Sequence, residues 1–120
     1  MTVRIGSAAL AALAALAAAA PACRGDVTGG SIEGPELFAK LCSACHGPDG
    51  RPPEAMALRL GVRDLTAPEL RARITPALVE QQLRRGSENK LMPSFVGIAS
   101  EAQIKALAEY VASPAFLRKP

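Results

Sequence analysis

The sequence has few aromatic residues, no tryptophan and a single histidine. Its three phenylalanines and one tyrosine are few for the core of a 120-residue chain, which is long enough for one domain. Because His46 is the only histidine, no site can use two imidazoles from this chain. The formal net charge is only +3, without the clustered basic face of a nucleic-acid-binding protein. We therefore expect no nucleic-acid partner.

Cysteine is also scarce, and two of the three cysteines lie in Cys42-Ser43-Ala44-Cys45-His46. This C-x-x-C-H pattern is the attachment signature of c-type haem. Two thiols one helical turn apart can form thioethers with two vinyl groups at one porphyrin edge. The adjacent imidazole can then bind the iron from one face. A buried porphyrin would also supply the apolar bulk that the few aromatic residues do not.

Three other interpretations of the motif have to be weighed. A thioredoxin-like redox pair requires a βαβ pattern, and no strand-like alternation surrounds the motif. A structural zinc site normally takes four ligands in two separated pairs, and Cys23 is the only other thiol. The pattern can also arise by coincidence. Haem attachment explains all three residues of the motif and is the interpretation that we adopt.

Residues 1–22 are typical of a signal peptide. Arg4 precedes an Ala/Leu run from Ala8 to Ala20, and Ala20-Pro21-Ala22 is a small-x-small cleavage site. The run is short and weakly hydrophobic for a membrane-spanning anchor. Export also fits the motif, because haem is attached to such proteins outside the cytoplasm. We expect a periplasmic or otherwise exported protein.

Cys23 directly follows this cleavage site. Small residues followed by cysteine resemble a bacterial lipoprotein box, although Pro21 lies inside it and Ala20 replaces the usual leucine. Lipidation of Cys23 and simple cleavage both remain open. A lipid would hold the protein on a membrane while the domain itself stayed outside the bilayer.

The rest of the sequence predicts a flexible linker at 23–33, a helical domain at 34–113 and a tail at 114–120. The first helix should open at Gly34-Pro35 and carry the chain into the motif, ending at Gly47-Pro48. Capping boxes predict two later helix starts, at Thr66 with Glu69 and at Ser100 with Gln103. Between them, a short helical turn at 54–60 and a helix from Thr75 to Arg85, with Leu78, Val79 and Leu83 facing inward, complete the expected elements.

Two methionines are candidates for a second axial ligand of the iron. Met92 lies in a stretch without regular period, and Pro93 biases it toward an extended conformation that would hold its sulfur in place. Filling a gap in the core is the commonest use of methionine, but downstream of C-x-x-C-H we favour ligation by Met92. For Met56 we favour packing against the ring.

The chain resembles the class I c-type cytochromes, the small, exported, single-haem bacterial kind, over about residues 34–112. The resemblance depends on the motif, on Met92-Pro93-Ser94-Phe95 and on the two terminal helices. It implies an all-α cytochrome c fold, with three to five short helices around one covalently bound haem c. It further implies haem held by Cys42 and Cys45, with His46 and Met92 as axial ligands. In this family the terminal helices cross closely, at positions occupied here by Gly34, Phe38, Leu107 and Tyr110.

The middle loop departs from the family pattern. The proline whose carbonyl usually accepts the histidine N–H has no clear counterpart, although Pro52 or Pro53 could supply it. Three arginines of this region are candidates for propionate contacts or are simply solvated: Arg51, Arg59 and Arg63.

Iron with histidine and methionine ligands has no open coordination site, and this ligand pair raises its potential. We therefore expect a non-enzymatic carrier of single electrons, with transient contacts to redox donors and acceptors. One alternative is a haem sensor or small enzyme with a labile sixth ligand. Others are a c-type subunit of a larger oxidoreductase complex and, less in keeping with the motif, a haem-free metal module.

Overall fold

A computed structural model describes residues 28–118; the predicted signal peptide and Cys23 lie outside the described residues. The described chain forms α1 (Gly34–Leu41), α2 (Ser43–His46), α3 (Glu54–Leu60), α4 (Pro68–Arg71), α5 (Pro76–Arg85), α6 (Glu101–Ala112) and a final 3₁₀ turn (Pro114–Leu117). β-Type pairing within residues 28–118 is limited to one isolated bridge, between Val96 and Ala99. No helix in this range is long and apolar enough to cross a membrane. The expected all-α architecture is confirmed.

Helices α1 and α6 cross at Gly34, as the resemblance implied. Gly34 is buried, and a Cβ atom there would lie 2.8 Å from Tyr110 Cγ and 3.2 Å from the Ala106 carbonyl oxygen. The missing side chain therefore lets the two helices approach closely. Leu37 of α1 and Leu107 of α6 are fully buried, and each stabilises the fold by about 2 kcal/mol through burial.

Three of the four aromatic residues form one cluster where α1, α6 and the 3₁₀ turn meet. The Phe38 ring lies edge-on to Tyr110 and to Phe116, with centroids 6.3 and 5.0 Å apart, and Tyr110 and Phe116 are 5.4 Å apart. Such edge-to-face pairs are worth about 1 kcal/mol each beyond area burial. The small aromatic content is thus concentrated at the helix crossing.

Helix α5 packs against α6. Its Leu83 and, from the loop that follows, Phe95 complete the core. The start and end of α5 match the prediction: the Thr75 hydroxyl accepts a hydrogen bond from the Leu78 N–H, and Gly86 follows Arg85. Its predicted inner face is only partly correct. Val79 is half-buried and Leu83 is buried, but Leu78 is 51% exposed.

One predicted capping box is confirmed and the other is wrong. At α6, Ser100 and Gln103 exchange both hydrogen bonds of the box. At α4, the helix begins at Pro68 after Ala67, without a side-chain cap. Thr66 instead directs both its N–H and its hydroxyl to the Asp64 carboxylate, at 2.7 and 2.6 Å. Asp64 is thus a closer acceptor for Thr66 than the start of the helix.

The linker predicted at 23–33 is not free over its described part. Thr28 is buried, and its hydroxyl accepts a hydrogen bond of 2.7 Å from the Gln103 amide of α6. The same amide donates to the Ser31 carbonyl, and the Lys40 ammonium donates to the Thr28 carbonyl. The chain is therefore fixed to α1 and α6 from Thr28 onward.

Candidate haem site

A break between α1 and α2 sets the orientation of the C-x-x-C-H motif. Cys42 leaves helical geometry, with φ −122° and ψ −34°, and its carbonyl accepts a 2.9 Å hydrogen bond from the His46 N–H. Gly47 then ends α2 at φ 76°, where a Cβ would lie 2.9 Å from the Arg51 carbonyl carbon. In this arrangement Cys42 is half-buried against the core and Cys45 is exposed.

The imidazole of His46 is oriented by a backbone carbonyl. Its Nδ1 lies 3.2 Å from the carbonyl oxygen of Arg63, which can only accept, so Nδ1 carries the proton. The lone pair is then on Nε2 and is available to a metal. Burial lowers the pKa of His46, an effect that the hydrogen bond to Arg63 partly opposes. The side chain is therefore in the neutral, ligand-competent form at pH 7.

Arg63 supplies the contact that the sequence could not assign, and neither Pro52 nor Pro53 is involved in it. The loop is closed by a 2.8 Å hydrogen bond from the Leu65 N–H to the Gly50 carbonyl. Sequence reasoning missed Arg63 because the contact comes from its backbone, which carries no sequence signature.

Residues 28–118 do not offer the ligand set of a structural zinc site around Cys42. Burial, with a smaller effect of the neighbouring Cys45, raises the pKa of Cys42 to about 12. The thiol is therefore protonated at pH 7, and a structural zinc site would in addition need four ligands. Over residues 28–118 no group of three or more His, Cys, Asp or Glu side chains is placed to hold a metal ion. The zinc interpretation finds no support in this part of the chain.

The predicted second ligand contacts the same core as the motif. Met92 is half-buried and packs against the buried cluster, as does Cys42. Met56, the other candidate, is half-buried on α3. The fold thus joins the motif and the Met92 loop through one apolar core.

The donor set fits a covalently attached haem. It comprises one half-buried and one exposed thiol a helical turn apart, an imidazole with its Nε2 lone pair available, and a half-buried thioether. Further apolar side chains from four segments are half-buried against the core: Leu41, Leu65, Ile74 and Val79. Thiols, imidazole and thioether are the side chains that hold haem c with histidine and methionine ligation.

The three candidate propionate contacts differ in their surroundings. The Arg51 guanidinium donates to the Thr66 hydroxyl at 3.3 Å and lies 3.9 Å from the Asp64 carboxylate. Thr66 and Arg51 together lower the pKa of Asp64, the Thr66 hydrogen bond having the larger effect. Arg59 and Arg63 are exposed. Contacts of these arginines with propionates remain predictions.

Comparison with known proteins agrees with this geometry. A family model described as cytochrome c oxidase, cbb3-type, subunit III matches residues 32–111. The chain belongs to this family of c-type cytochromes. It is also similar to a solved structure, the KustC0563 c-type cytochrome, with 28% sequence identity and a TM-score of 0.59. That similarity covers 67% of this chain and 94% of the other.

Membership in the family assigns the general role of the domain. A c-type cytochrome domain binds haem c and generally serves as an electron carrier rather than an enzyme. The resemblance inferred from the motif, the Met92 loop and the terminal helices is therefore confirmed at the level of family and fold.

Proposed function

We propose that this c-type cytochrome holds one haem and carries single electrons between larger redox proteins. Cys42 and Cys45 would form the two thioethers, and His46 Nε2 and Met92 Sδ would be the axial ligands. The observation that carries the proposal is the hydrogen bond between His46 Nδ1 and the Arg63 carbonyl, which leaves Nε2 as the ligating atom. The confirmed family membership supports the same assignment.

When bound, the haem supplies an iron that changes its oxidation state by one electron. The protein's own contribution is to orient the His46 imidazole and to keep substrate away from the iron. The Arg63 carbonyl fixes the tautomer and plane of His46, and burial keeps this imidazole uncharged. A thioether from Met92 would occupy the remaining iron site, which would leave no place for a substrate and would raise the reduction potential. Electron transfer therefore needs no acid or base from this chain.

The partners would be redox proteins outside the cytoplasm. Residues 1–22 support export, and a lipid on Cys23 would add a membrane anchor. The matched family is described as a subunit of a cbb3-type oxidase, which favours a second candidate role, that of a c-type subunit in a larger oxidoreductase complex. The two roles share the same haem chemistry and differ in whether partner contact is transient or permanent.

A spectroscopic comparison of purified, exported protein tests the axial ligands. A pyridine haemochrome assay should give one haem per chain. The ferric wild type should show the weak band at the red end of the visible spectrum that reports sulfur–iron ligation. Met92→Ala should lose this band and gain CO binding in the ferrous state. Met56→Ala removes a half-buried thioether from α3 and is the matched control, expected to keep the band.

Each other outcome overturns part of the proposal. A colourless preparation would exclude haem attachment. A coloured wild type that lacks the band and binds CO freely would instead indicate a sensor or enzyme with an open or labile site. Loss of the band in Met56→Ala but not in Met92→Ala would move the sixth ligand to α3.

A further inference from the structure

Both backbone polar groups of Met92 are bonded to one residue, Ser87. The Ser87 N–H donates to the Met92 carbonyl at 2.9 Å, and the Met92 N–H donates to the Ser87 hydroxyl at 3.0 Å. We propose that Ser87 is a positioning residue that holds the Met92 sulfur on the iron and so keeps the sixth coordination site closed. This inference rests on the proposed function, in which Met92 is the second axial ligand.

The Ser87 hydroxyl is itself held in a fixed direction. It donates to Asn89 Oδ1 at 2.6 Å, and the same oxygen accepts from the Leu91 N–H at 3.1 Å. Because the hydroxyl proton points to Asn89, an oxygen lone pair faces the Met92 N–H. The turn also places Lys90 at φ 63°, a conformation that non-glycine residues adopt only when their surroundings impose it. Asn89 thus orients the Ser87 hydroxyl so that its oxygen accepts from the Met92 N–H.

The residues that follow this turn are attached to the last turn of α5. The Ser94 hydroxyl donates to the Arg84 carbonyl at 2.7 Å, and the Phe95 N–H donates to the Leu83 carbonyl at 2.8 Å. Leu83 and Phe95 are both buried in the core. Because α5 packs on α6, which crosses α1, the Met92 peptide is connected through short contacts to the helix that leads into the haem motif.

Gly86 allows the turn to close this tightly. It has φ 70° and ψ −166°, and a Cβ there would lie 2.6 Å from the Met92 carbonyl oxygen. The Gln82 amide holds this glycine by donating to its carbonyl at 2.7 Å. Gly86 therefore lets Ser87 lie directly against the Met92 backbone, where the N–H of Ser87 donates and its hydroxyl accepts.

Ser87→Ala in the holoprotein tests the inference. Haem content by pyridine haemochrome should be unchanged, whereas the red ferric band should weaken. Loss of hydrogen bonding worth ~1 kcal/mol should raise the apparent CO affinity of the ferrous protein about fivefold. Ser87→Thr retains a hydroxyl and should restore both readouts toward the wild type.

A matched control separates positioning from stability. Ser100→Ala also removes a hydroxyl that accepts a backbone N–H, from Gln103 at 3.2 Å, but it does so at the start of α6. This variant should lower the melting temperature and leave the band and the CO affinity unchanged. An equal spectral change in both serine variants would reduce Ser87 to a structural residue and overturn the inference.

The inference and the proposed function fail in different ways. If the wild type shows the band and Ser87→Ala keeps it with unchanged CO affinity, Met92 remains the ligand and the role of Ser87 is wrong. If the wild type itself lacks the band, the axial assignment fails, and the role of Ser87 fails with it.

Discussion

At the scale of single residues, the close approach of α1 and α6 at Gly34 makes the sharpest prediction. A Cβ at this position would overlap Tyr110, whose ring belongs to the aromatic cluster and cannot move without disturbing Phe38 and Phe116. Gly34→Ala should therefore lower the free energy of unfolding by about 2 kcal/mol through overpacking, although alanine favours helix. Denaturant unfolding of the holoprotein measures this change.

Glu36→Gln on the exposed side of the same helix is the control for Gly34→Ala, expected to change stability by no more than about 0.5 kcal/mol. If Gly34→Ala were as stable as this control, the two helices would have room for a side chain at their crossing. Gly34 would then be only the first residue of α1 and would not be needed for close packing against Tyr110.

The same scale shows which parts of the site a sequence can predict. Cys42, Cys45 and His46 could be found because their side chains carry the chemistry and their spacing is distinctive. Met92 could be proposed because a thioether beside proline is informative once the motif is known. The Arg63 carbonyl could not be found, because every residue has a carbonyl and only the fold decides which one meets Nδ1. Ser87 was missed since its contact is with backbone atoms five residues away.

At the scale of secondary-structure elements, Arg71 joins α4 to the end of α6. Its guanidinium donates to the carbonyls of Val111, Ala112 and Ser113 at 2.7, 3.3 and 2.9 Å. These are carbonyls that the end of a helix leaves without intrahelical partners, and a cation there also opposes the helix dipole. The same group lies 5.5 Å from the centroid of the Phe116 ring. One side chain therefore caps α6 and stacks on the aromatic cluster.

Replacing this cap should be costly. Arg71→Met keeps an apolar stem beside Phe116 but removes every donor, so the free energy of unfolding should fall by about 2 kcal/mol. Thermal melting followed by circular dichroism measures it. Arg73→Met is the control, because Arg73 is exposed and lies two positions further along the chain. It should change the free energy of unfolding by less than about 0.5 kcal/mol. Equal stability of the two variants would show that solvent replaces the cap without loss.

Helix starts were predicted well where the expected partners bond to each other and poorly where another group competes for the same donors. Helix α6 starts at its capping box because Ser100 and Gln103 exchange the two hydrogen bonds of the box. Helix α4 starts later than predicted because Asp64 takes both donors of Thr66. The contacts of Arg71 were not predictable for a different reason. Its acceptors lie about forty residues further along the chain, and only the fold brings them together.

At the scale of the whole molecule, one ion-pair group links α5 to α6. The Arg84 guanidinium lies 2.8 Å from the Glu80 carboxylate and 2.6 Å from that of Glu101. The hydrogen bond to Arg84, with the attraction between the charges, lowers the pKa of Glu101. Glu101 is exposed and Arg84 is only half-buried, so the pair between them contributes little at physiological ionic strength.

The sign of the pH dependence follows from the lowered pKa of Glu101. Its contribution to stability is fully present above the carboxyl's usual pKa of 4.5 and is lost as pH falls through the lower folded-state value. A double-mutant cycle with Glu101→Gln and Arg84→Met should therefore show a favourable coupling at pH 7 that shrinks in high salt and disappears in acid. A coupling that stays constant across this pH range would contradict the ion-pair assignment.

The largest effect expected for the whole molecule is that of losing the haem. Over residues 28–118 the buried apolar set is small, with ten members: Leu37, Phe38, Leu83, Phe95, Ala99, Ile104, Leu107, Ala108, Val111 and Phe116. A domain of this length has little margin, and a covalently held porphyrin would add apolar contacts to the half-buried side chains around that set. The described fold should therefore depend on haem attachment for much of its stability.

Cys45 allows this dependence to be measured cleanly, because it is exposed and its truncation removes nothing from the core. Cys45→Ala should lower haem content, and its unloaded fraction should melt at least about 10 °C below the holoprotein, since ~1 kcal/mol shifts the melting temperature of such a domain by about 4–8 °C. Ala44→Ser, at the neighbouring exposed position, keeps the motif and should melt within a few degrees of the wild type. Circular dichroism melts paired with haemochrome assays distinguish the two. Unloaded Cys45→Ala protein that melted with the control would mean that the helices alone supply the stability and that the porphyrin is not part of the core.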